Sequence, residues 1–334
     1  MKQRGFRYCN TCQNKLQKWG KTAAGTQRWR CTNCINTEIR QRPDLSRALL
    51  LERFVAWLLG KQSQTELRAS VTDRTWRSQI SWCWDIVPKS YLTGEIYSII
   101  LIDGIRVGSL VCLVARTPEA VIAWQWVGWE SSNTWTILLE QLPPPTVVVC
   151  DGQKGVLLAI GRCWPKARIQ RCIFHVWQNV RVKLTLHPQT VAGQELLQLT
   201  RDLWKVTTIE HSLAWQQRLQ VWKKQYGDFI RERTYFANPT SGRRRWWYTH
   251  RGLRSAYRQL DKLLQENQLF TYLDTTLTEE LIPRTTNYVE GGINSQLRTK
   301  LKLHRGMNEE HQRRLVEWYL YSRTNEPKPT RNFL

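Results

Sequence analysis

The feature that most constrains this chain is a pair of cysteine motifs close to the N-terminus. Cys9-x2-Cys12 is followed, after a stretch of hairpin length, by Cys31-x2-Cys34. This spacing is typical of a four-cysteine zinc ribbon, in which each pair turns two thiolates toward one ion. Four cysteines buried by chance are the alternative. We expect residues 1–42 to form a small zinc ribbon with one structural Zn²⁺ held by these four thiolates.

The composition indicates the class of partner. The chain has 50 Lys and Arg against 27 Asp and Glu, a formal net charge of +23, so a polyanion is the expected partner. Its 18 Trp, 11 Tyr and 7 Phe favour a packed core over disorder. No apolar run approaches the roughly 20 residues that span a bilayer, and the start at Met1 is polar and basic. The sequence therefore predicts a cytoplasmic protein with reduced thiols and no membrane partner.

Residues 43–92 have the pattern of a helix-turn-helix. Asp44 is a suitable N-cap for apolar residues at helical spacing up to Leu59, and further helical segments are expected from Gln64 and over 74–84. A helix with outward basic residues after a short turn is the arrangement that enters a DNA major groove. An ordinary helical hairpin is the alternative. The basic residues expected to contact DNA in these two N-terminal modules are Arg28, Arg30, Arg74 and Arg77.

The hydrophobic period changes after residue 93 and predicts an α/β core over 93–175. Strands are expected over 97–103, 110–116, 121–129, 146–150 and 167–174, with helices over 135–142 and 154–163 and the first turn at 104–108. Three antiparallel strands followed by alternating helices and strands is the order expected of an RNase H-like fold with a mixed sheet. Residues 176–283 have helical spacing and predict an all-α insertion. Residues 284–325 return to the core with the last helices.

Two aspartates mark the edge of the predicted sheet. Asp103 ends the first predicted strand and Asp151 follows the fourth, and each precedes a glycine. In the RNase H-like order these strands are parallel neighbours, so both carboxylates project into one crevice at the carboxyl ends of the strands. Like charges held together there favour a shared hard cation such as Mg²⁺. A turn-forming role before glycine is the alternative for either residue alone.

A third carboxylate is expected from a late helix that faces the same crevice. Glu290 follows a Thr286-Asn287 cap and lies early in a helix predicted to run to Lys300. This Asn-x2-Glu context makes Glu290 the candidate. The rival acids, which lack that context, are Glu130, Glu140, Asp274, Glu279 and Glu280.

Four motifs together resemble the bacterial insertion-sequence DDE transposases of the Mutator-like superfamily. They are Asp103-Gly, Asp151-Gly, Cys172-x2-His175 and Thr286-Asn287-x2-Glu290-Gly-x2-Asn, and the resemblance covers most of the chain from residue 95 to residue 322. It implies DNA cleavage and strand transfer with two Mg²⁺, replaceable by Mn²⁺, held by Asp103, Asp151 and Glu290. The partners it implies are double-stranded DNA, as terminal inverted repeats and as target, and a second copy of the chain in a homodimer on DNA. Many relatives lack an N-terminal zinc ribbon.

Three further residues are expected close to the active site: Cys172, His175 and Asn287. The resemblance implies that Cys172 and His175 organise the active-site end of the fifth core strand. Two ligands cannot complete a closed zinc site, so we assign no ligand role to either. A buried thiol beside a hydrogen-bonded core histidine is the alternative.

Basic and aromatic residues inside the predicted insertion complete the candidate set. Arg244, Arg245, Trp246 and Trp247 begin a run that resembles a signature of the same family. We expect the arginines to hold phosphates. The tryptophans, predicted to lie on a helix, either stack on an unpaired base or pack in the core.

Two other functional classes fit parts of the sequence. A zinc-ribbon and helix-turn-helix regulator explains residues 1–90 but leaves the carboxylates without a role. An RNase H-like nuclease uses the same metal site without joining DNA ends. The carboxylates favour a transposase over the regulator, and the DNA-binding modules favour it over the nuclease, so we expect a bacterial, nucleoid-associated transposase.

Overall fold

The computed structural model describes residues 8–9, 11–39, 43–61, 73–235, 246–286 and 292–334. These residues form two units. The first contains the described parts of Met1–Gly60 and Gln64–Ile86 with Lys328–Leu334, and the second contains those of Lys61–Ser63 and Val87–Pro327. Among the described residues, no helix is long and apolar enough to cross a membrane.

The first unit begins with a three-stranded antiparallel sheet. Its strands are β1 (Leu16–Lys21), β2 (Gln27–Cys31) and β3 (Thr37–Ile39), in the order β1-β2-β3. The hairpin between β1 and β2 joins the two cysteine motifs, as expected from their spacing.

Two helices and a short 3₁₀ helix follow the ribbon. They are α1 (Pro43–Leu59), α2 (Asp73–Ile80) and the 3₁₀ helix Ser81–Asp85. An aromatic cluster joins them, because Phe54 and Trp57 of α1 contact Trp84 and Trp76 at ring-centroid distances of 4.8 and 5.8 Å. The helix expected from Gln64 lies outside the described residues, so the helix-turn-helix stays a prediction. The helix expected over 74–84 ends at Ile80 and tightens into the 3₁₀ turn.

The second unit is built on a mixed five-stranded sheet. The strands are β4 (Ile99–Val107), β5 (Leu110–Arg116), β6 (Val121–Val127), β7 (Val147–Cys150) and β8 (Arg168–Arg171), in the order β6-β5-β4-β7-β8. β5 pairs antiparallel with β4 and β6, whereas β7 pairs parallel with β4 and β8. The mixed sheet predicted from the sequence is thereby confirmed.

The first core strand does not end at Asp103, and the turn expected over 104–108 was wrong. β4 continues for four more residues because Gly104 to Val107 keep pairing with β5. The chain turns only at Gly108, which has a φ of +59°. Asp103 therefore lies inside a strand and not at its end.

Alternate residues of β4 face two apolar layers, as the period of a strand requires. Ile100 and Ile102 pack with α3 (Ser132–Leu139) and α4 (Lys154–Cys163). Ile99 and Leu101 pack with helices that follow the sheet. These helices are α5 (Ile173–Leu184), α6 (Val191–Asp202), α7 (Ile209–Tyr226) and α8 (Arg251–Gln265). They are followed by α9 (Ile293–Leu303), α10 (Glu309–Tyr321) and the 3₁₀ helix Thr330–Phe333.

The segment 176–283 is not all-α, contrary to the prediction. β9 (Arg233–Tyr235) and β10 (Trp246–Tyr248) form a two-stranded antiparallel sheet, in which Trp246 pairs with Tyr235 and Trp247 with Thr234. Trp246 and Trp247 therefore lie on a strand and not on a helix. Three successive aromatic residues favour extended backbone, where cross-strand neighbours cover the rings.

Candidate active site and zinc site

The four N-terminal cysteines meet at one point. Their sulfur atoms all lie within 4.8 Å of one another. The Sγ atoms of Cys9 and Cys34 are 3.4 Å apart, as are those of Cys12 and Cys31. Four thiol sulfurs at this separation are the donor set of a closed tetrahedral zinc site. Among the described residues, this is the one group of three or more His, Cys, Asp or Glu donors so close together.

Backbone groups inside each motif stabilise thiolates. The N–H of Thr11 donates to Cys9 Sγ at 3.4 Å, and the N–H of Asn33 donates to Cys31 Sγ at 3.3 Å. Equivalent bonds in both motifs hold the sulfurs in the orientation that a shared cation needs.

The sulfurs do not titrate alike. A hydrogen bond from the backbone N–H of Asn14 is the main cause that lowers the pKa of Cys12 to about 6. The backbone N–H of Asn36 favours the Cys34 thiolate, but hydrogen bonds shared with Cys9 and Cys12 raise the pKa of Cys34 to about 12. The metal-free cluster therefore keeps a proton that a dication would displace.

Asp103 and Asp151 are in register across parallel strands. The last paired residues of β4 and β7 are Leu101 and Val149, and each aspartate lies two residues beyond. Both line one cavity of 780 Å³. Hard carboxylate oxygens in a polar cavity of this kind suit Mg²⁺, which takes a few carboxylates together with water and phosphate oxygens.

Asp103 is held from its own strand and from α9. The N–H of Gly104 donates to Oδ1 at 3.0 Å, and Asn294 Nδ2 donates to Oδ2 at 3.0 Å. Burial raises the pKa of Asp103, with His175 opposing this effect and the charge of Asp151 adding to it. The sequence motif included Asn294 but gave it no role. Its position in the first turn of α9 was the available signal.

Asp151 is held at its backbone carbonyl and at its side chain. Arg171 donates to the Asp151 carbonyl from Nε at 3.2 Å and from an Nη at 2.8 Å, and the N–H of Gln153 donates to Oδ1 at 2.9 Å. Gly152 has a φ of +73°, and a Cβ there would lie 1.8 Å from Arg171 Cζ. The Asp-Gly step therefore does more than form a turn, because it admits a buried guanidinium that fixes the aspartate backbone.

Glu130 brings a further carboxylate to the same cavity. It follows β6 and packs on Gly104, where a Cβ would lie 2.6 Å from Glu130 Oε1. Burial and the charges of Asp151 and Asp103 raise its pKa. The other rival acids do not line this cavity. The sequence indicated Glu130 only as one acid among five.

Cys172 and His175 lie together beside Asp103. Cys172 is fully buried, and its sulfur accepts hydrogen bonds from the N–H and Oγ1 of Thr286 at 3.3 and 3.5 Å. His175 lines the cavity. Burial opposes the charged form of His175, but the hydrogen bond and charge of Cys172 raise its pKa to about 9.

Hydrogen bonds hold Thr286, which lies four residues before Glu290 in the sequence. In addition to its bonds with Cys172, its carbonyl accepts from an Nη of Arg116 at 2.7 Å. Arg116 was not identified from the sequence.

Four predicted site residues lie outside the described residues. They are Asn287 and Glu290, which follow Thr286 in the sequence, and Arg244 and Arg245, which precede β10. The helix predicted to run to Lys300 begins as α9 at Ile293, three residues after Glu290.

Helix α9 gives the cavity a basic wall. One of its faces contributes Asn294, Arg298 and Lys302 at intervals of four residues, and Thr299 lies beside them. Helix α5 contributes neutral polar groups, including Gln178 and Asn179. Carboxylates next to lysine and arginine suit a phosphodiester held against a cation.

The remaining candidates are distributed between the two units. Arg28 and Arg30 lie on β2, and Arg74 and Arg77 are exposed on α2. On β10, Trp246 and Trp247 are half-buried, and the Arg233 guanidinium lies 4.1 Å from the centre of the Trp246 ring. Neither tryptophan is a fully buried core residue.

Comparisons with known proteins bear on the central part of the chain. Residues 114–235 match the family model described as Transposase, Mutator family. This segment contains Asp151, Cys172 and His175, but not Asp103 or Glu290.

Two curated relatives agree with that match. The transposase for insertion sequence element IS905 of Lactococcus lactis subsp. lactis (strain IL1403) is 26% identical over 148 residues, 39% of this chain and 37% of the relative. The transposase for insertion sequence element IS1201 of Lactobacillus helveticus is 26% identical over 107 residues, 30% of this chain and 28% of the relative. The chain thus matches about a third of the length of each. Over this matched segment the chain is similar to the Mutator family of insertion-sequence transposases.

Proposed function

We propose that the protein is a DNA transposase that cleaves DNA at the ends of its insertion sequence and transfers the strands to a target. The observation that carries this proposal is that Asp103 and Asp151 lie in register on neighbouring parallel strands and line one cavity with a basic wall. The match of residues 114–235 to transposases supports it. The sheet order supports an RNase H-like core. The net charge of +23 supports a nucleic-acid substrate.

In this proposal, Asp103, Asp151 and Glu290 hold the catalytic ions. Mg²⁺ or Mn²⁺, when bound, supplies a Lewis acid for phosphoryl transfer. Asn294 orients the carboxylate of Asp103, and Arg171 fixes the backbone of Asp151. Arg298 and Lys302 bind phosphates of the strand that enters the cavity. No covalent bond between protein and DNA is required.

The N-terminal unit recognises the terminal inverted repeats. The ribbon, stabilised by one Zn²⁺, and the helix-turn-helix bind duplex DNA through Arg28, Arg30, Arg74 and Arg77. Arg244 and Arg245 bind phosphates, and Trp246 and Trp247 stack on an unpaired base. The chain acts as a homodimer on DNA, so that both ends of the element are processed together.

A strand-transfer assay tests the proposal. Labelled duplexes from the two ends of the element are incubated with a supercoiled target, the protein and Mg²⁺ or Mn²⁺. We expect joined products from the unmutated chain and none from Asp103→Asn, Asp151→Asn or Glu290→Gln, each with end binding retained. Asp228→Asn is the matched control, because this aspartate is fully exposed and does not line the cavity.

The outcomes separate the three functional classes. Cleavage without joining identifies a nuclease, and tight end binding without any cleavage identifies a regulator. Normal joining by Glu290→Gln removes that glutamate from the site and makes Glu130 the next carboxylate to test.

A further inference from the structure

The ribbon sheet has two unlike faces. Strand residues alternate between faces, and the pairs Gln17 with Arg30 and Arg28 with Ile39 place these side chains together. We call this set, with Trp19 and Thr37, the exposed ribbon face. Among these residues only Arg30 is partly buried, whereas Trp29 and Glu38 on the other face are half-buried and Cys31 is buried.

A bulge keeps one lysine off the exposed ribbon face. The pairing of β1 with β2 shifts between Lys18 and Lys21, so that Lys21 lies opposite Gln27. Gly20, within the shift, has a φ of +65°, which is typical of a bulge with glycine in the left-handed region. Lys18 and Lys21 therefore share the other face.

The exposed ribbon face combines large apolar groups with cations. Trp19 is 48% exposed and Ile39 is 47% exposed. The guanidinium of Arg30 lies 4.3 Å from the centre of the Trp19 ring. Ribbon residues 11–39, which the structure describes, contain one acidic residue, Glu38. It pairs with Trp29 and therefore lies on the other face. A face with an exposed indole, an exposed aliphatic side chain, two cations and no carboxylate indicates a polyanion with an apolar edge as its partner.

We propose that the exposed ribbon face binds duplex DNA, with Arg28 and Arg30 on phosphates and with Trp19 and Ile39 against the sugars of the groove edge. The proposal rests on the transposase function for the identity of the DNA. β-Sheets and ribbons are used in this way to bind DNA grooves. The cation–π contact with Trp19 restrains the Arg30 guanidinium and leaves its N–H groups available for phosphate oxygens.

Paired charge removals in the full-length, zinc-loaded protein test this assignment. Arg28→Gln with Arg30→Gln removes two charges from the exposed ribbon face, and Lys18→Gln with Lys21→Gln removes two from the other face. Binding is measured by fluorescence anisotropy over a salt series, on a duplex from the element end and on a scrambled duplex of equal composition. Zinc content, measured for every variant, reports that the ribbon is folded.

We expect the arginine pair to lower affinity about tenfold and to reduce the salt slope by about 2, one unit per phosphate contact. The lysine pair changes both quantities by much less. Trp19→Ala lowers affinity roughly three- to tenfold without changing the slope, and Trp19→Phe restores most of it.

An equal or larger loss from the lysine pair overturns the assignment, as does unchanged binding by the arginine pair with zinc retained. A failure of the transposase function looks different. In that case, the unmutated chain prefers neither the element end nor the scrambled duplex, yet the arginine pair still weakens binding to both.

Discussion

The two Asp-Gly steps of the cavity have the same sequence and different structures. Asp103-Gly104 lies within a strand, and the space above Gly104 holds the Glu130 carboxylate. Asp151-Gly152 follows a strand, and the left-handed Gly152 leaves room for the Arg171 guanidinium. One glycine therefore admits a negative group and the other a positive group. The comparison shows that a repeated dipeptide can serve opposite electrostatic purposes at neighbouring strands.

Replacing each glycine by alanine should give the largest difference in stability between the two Asp-Gly steps. Gly152→Ala places a methyl group 1.8 Å from the buried Arg171 Cζ at a φ of +73°, and should lower the free energy of unfolding by about 3 kcal/mol. Gly104→Ala meets the end of the Glu130 side chain, which can move, and should cost about 1 kcal/mol. Urea unfolding measures both. Equal losses in the free energy of unfolding would show that the Arg171 side chain moves aside as readily as that of Glu130.

The next effect concerns the side chain of Asp103, which α9 orients. Asn294→Ala removes the 3.0 Å hydrogen bond to Asp103 Oδ2 and should weaken Mn²⁺ binding roughly 10- to 100-fold, the range for a residue that orients a metal ligand. Asn179→Ala is the matched control, because Asn179 lines the same cavity from α5. Calorimetric titration with Mn²⁺ measures both variants, and equal losses would contradict a specific role for Asn294.

A double-mutant cycle tests why a glycine is needed in the Asp103-Gly104 step. If Gly104 is needed only to admit Glu130, the cost of Gly104→Ala should nearly vanish when Glu130→Ala is also present. The expected coupling is about 1 kcal/mol, which neighbouring residues in contact commonly show. Additive costs would instead indicate that the added methyl group strains β4 itself.

The sequence predicted what depends on local pattern. The four cysteines meet as their spacing required, and the register of Leu101 with Val149 brings Asp103 and Asp151 level, as expected for parallel neighbours. The end of β4 was not predictable, because the pairing of Gly104 to Val107 with β5 is a property of the partner strand.

The roles of the remaining site residues arise from tertiary contacts. Glu130 reaches Gly104 from the end of another strand, and Asn294 reaches Asp103 from a helix nearly two hundred residues later. Trp246 and Trp247 illustrate a second limit, because a short aromatic run inside a helical region has no periodicity of its own. The cross-strand partners that make it a strand lie elsewhere in the chain.

The smallest expected effect is the pH dependence of stability that Glu130 introduces. Its pKa is raised above 4.5 by burial and by the charges of Asp151 and Asp103, so the folded chain keeps a proton that the unfolded chain loses. Stability of the metal-free protein should therefore fall as pH rises from 4.5 through the folded pKa. Glu130→Gln cannot lose this proton and should be more stable than the unmutated chain at pH 7, by less than about 1 kcal/mol because the side chain is partly solvated.

Urea midpoints measured between pH 4.5 and pH 7 with a chelator test this sign, with Glu140→Gln as the control at an exposed acid. Mg²⁺ should reverse the order of the two proteins at pH 7. The bound cation stabilises the charged carboxylates of the unmutated chain, whereas the amide of Glu130→Gln gains less from it. Parallel pH profiles in chelator, or a Glu130→Gln protein less stable at pH 7, would show that the metal-free fold does not raise the pKa of Glu130.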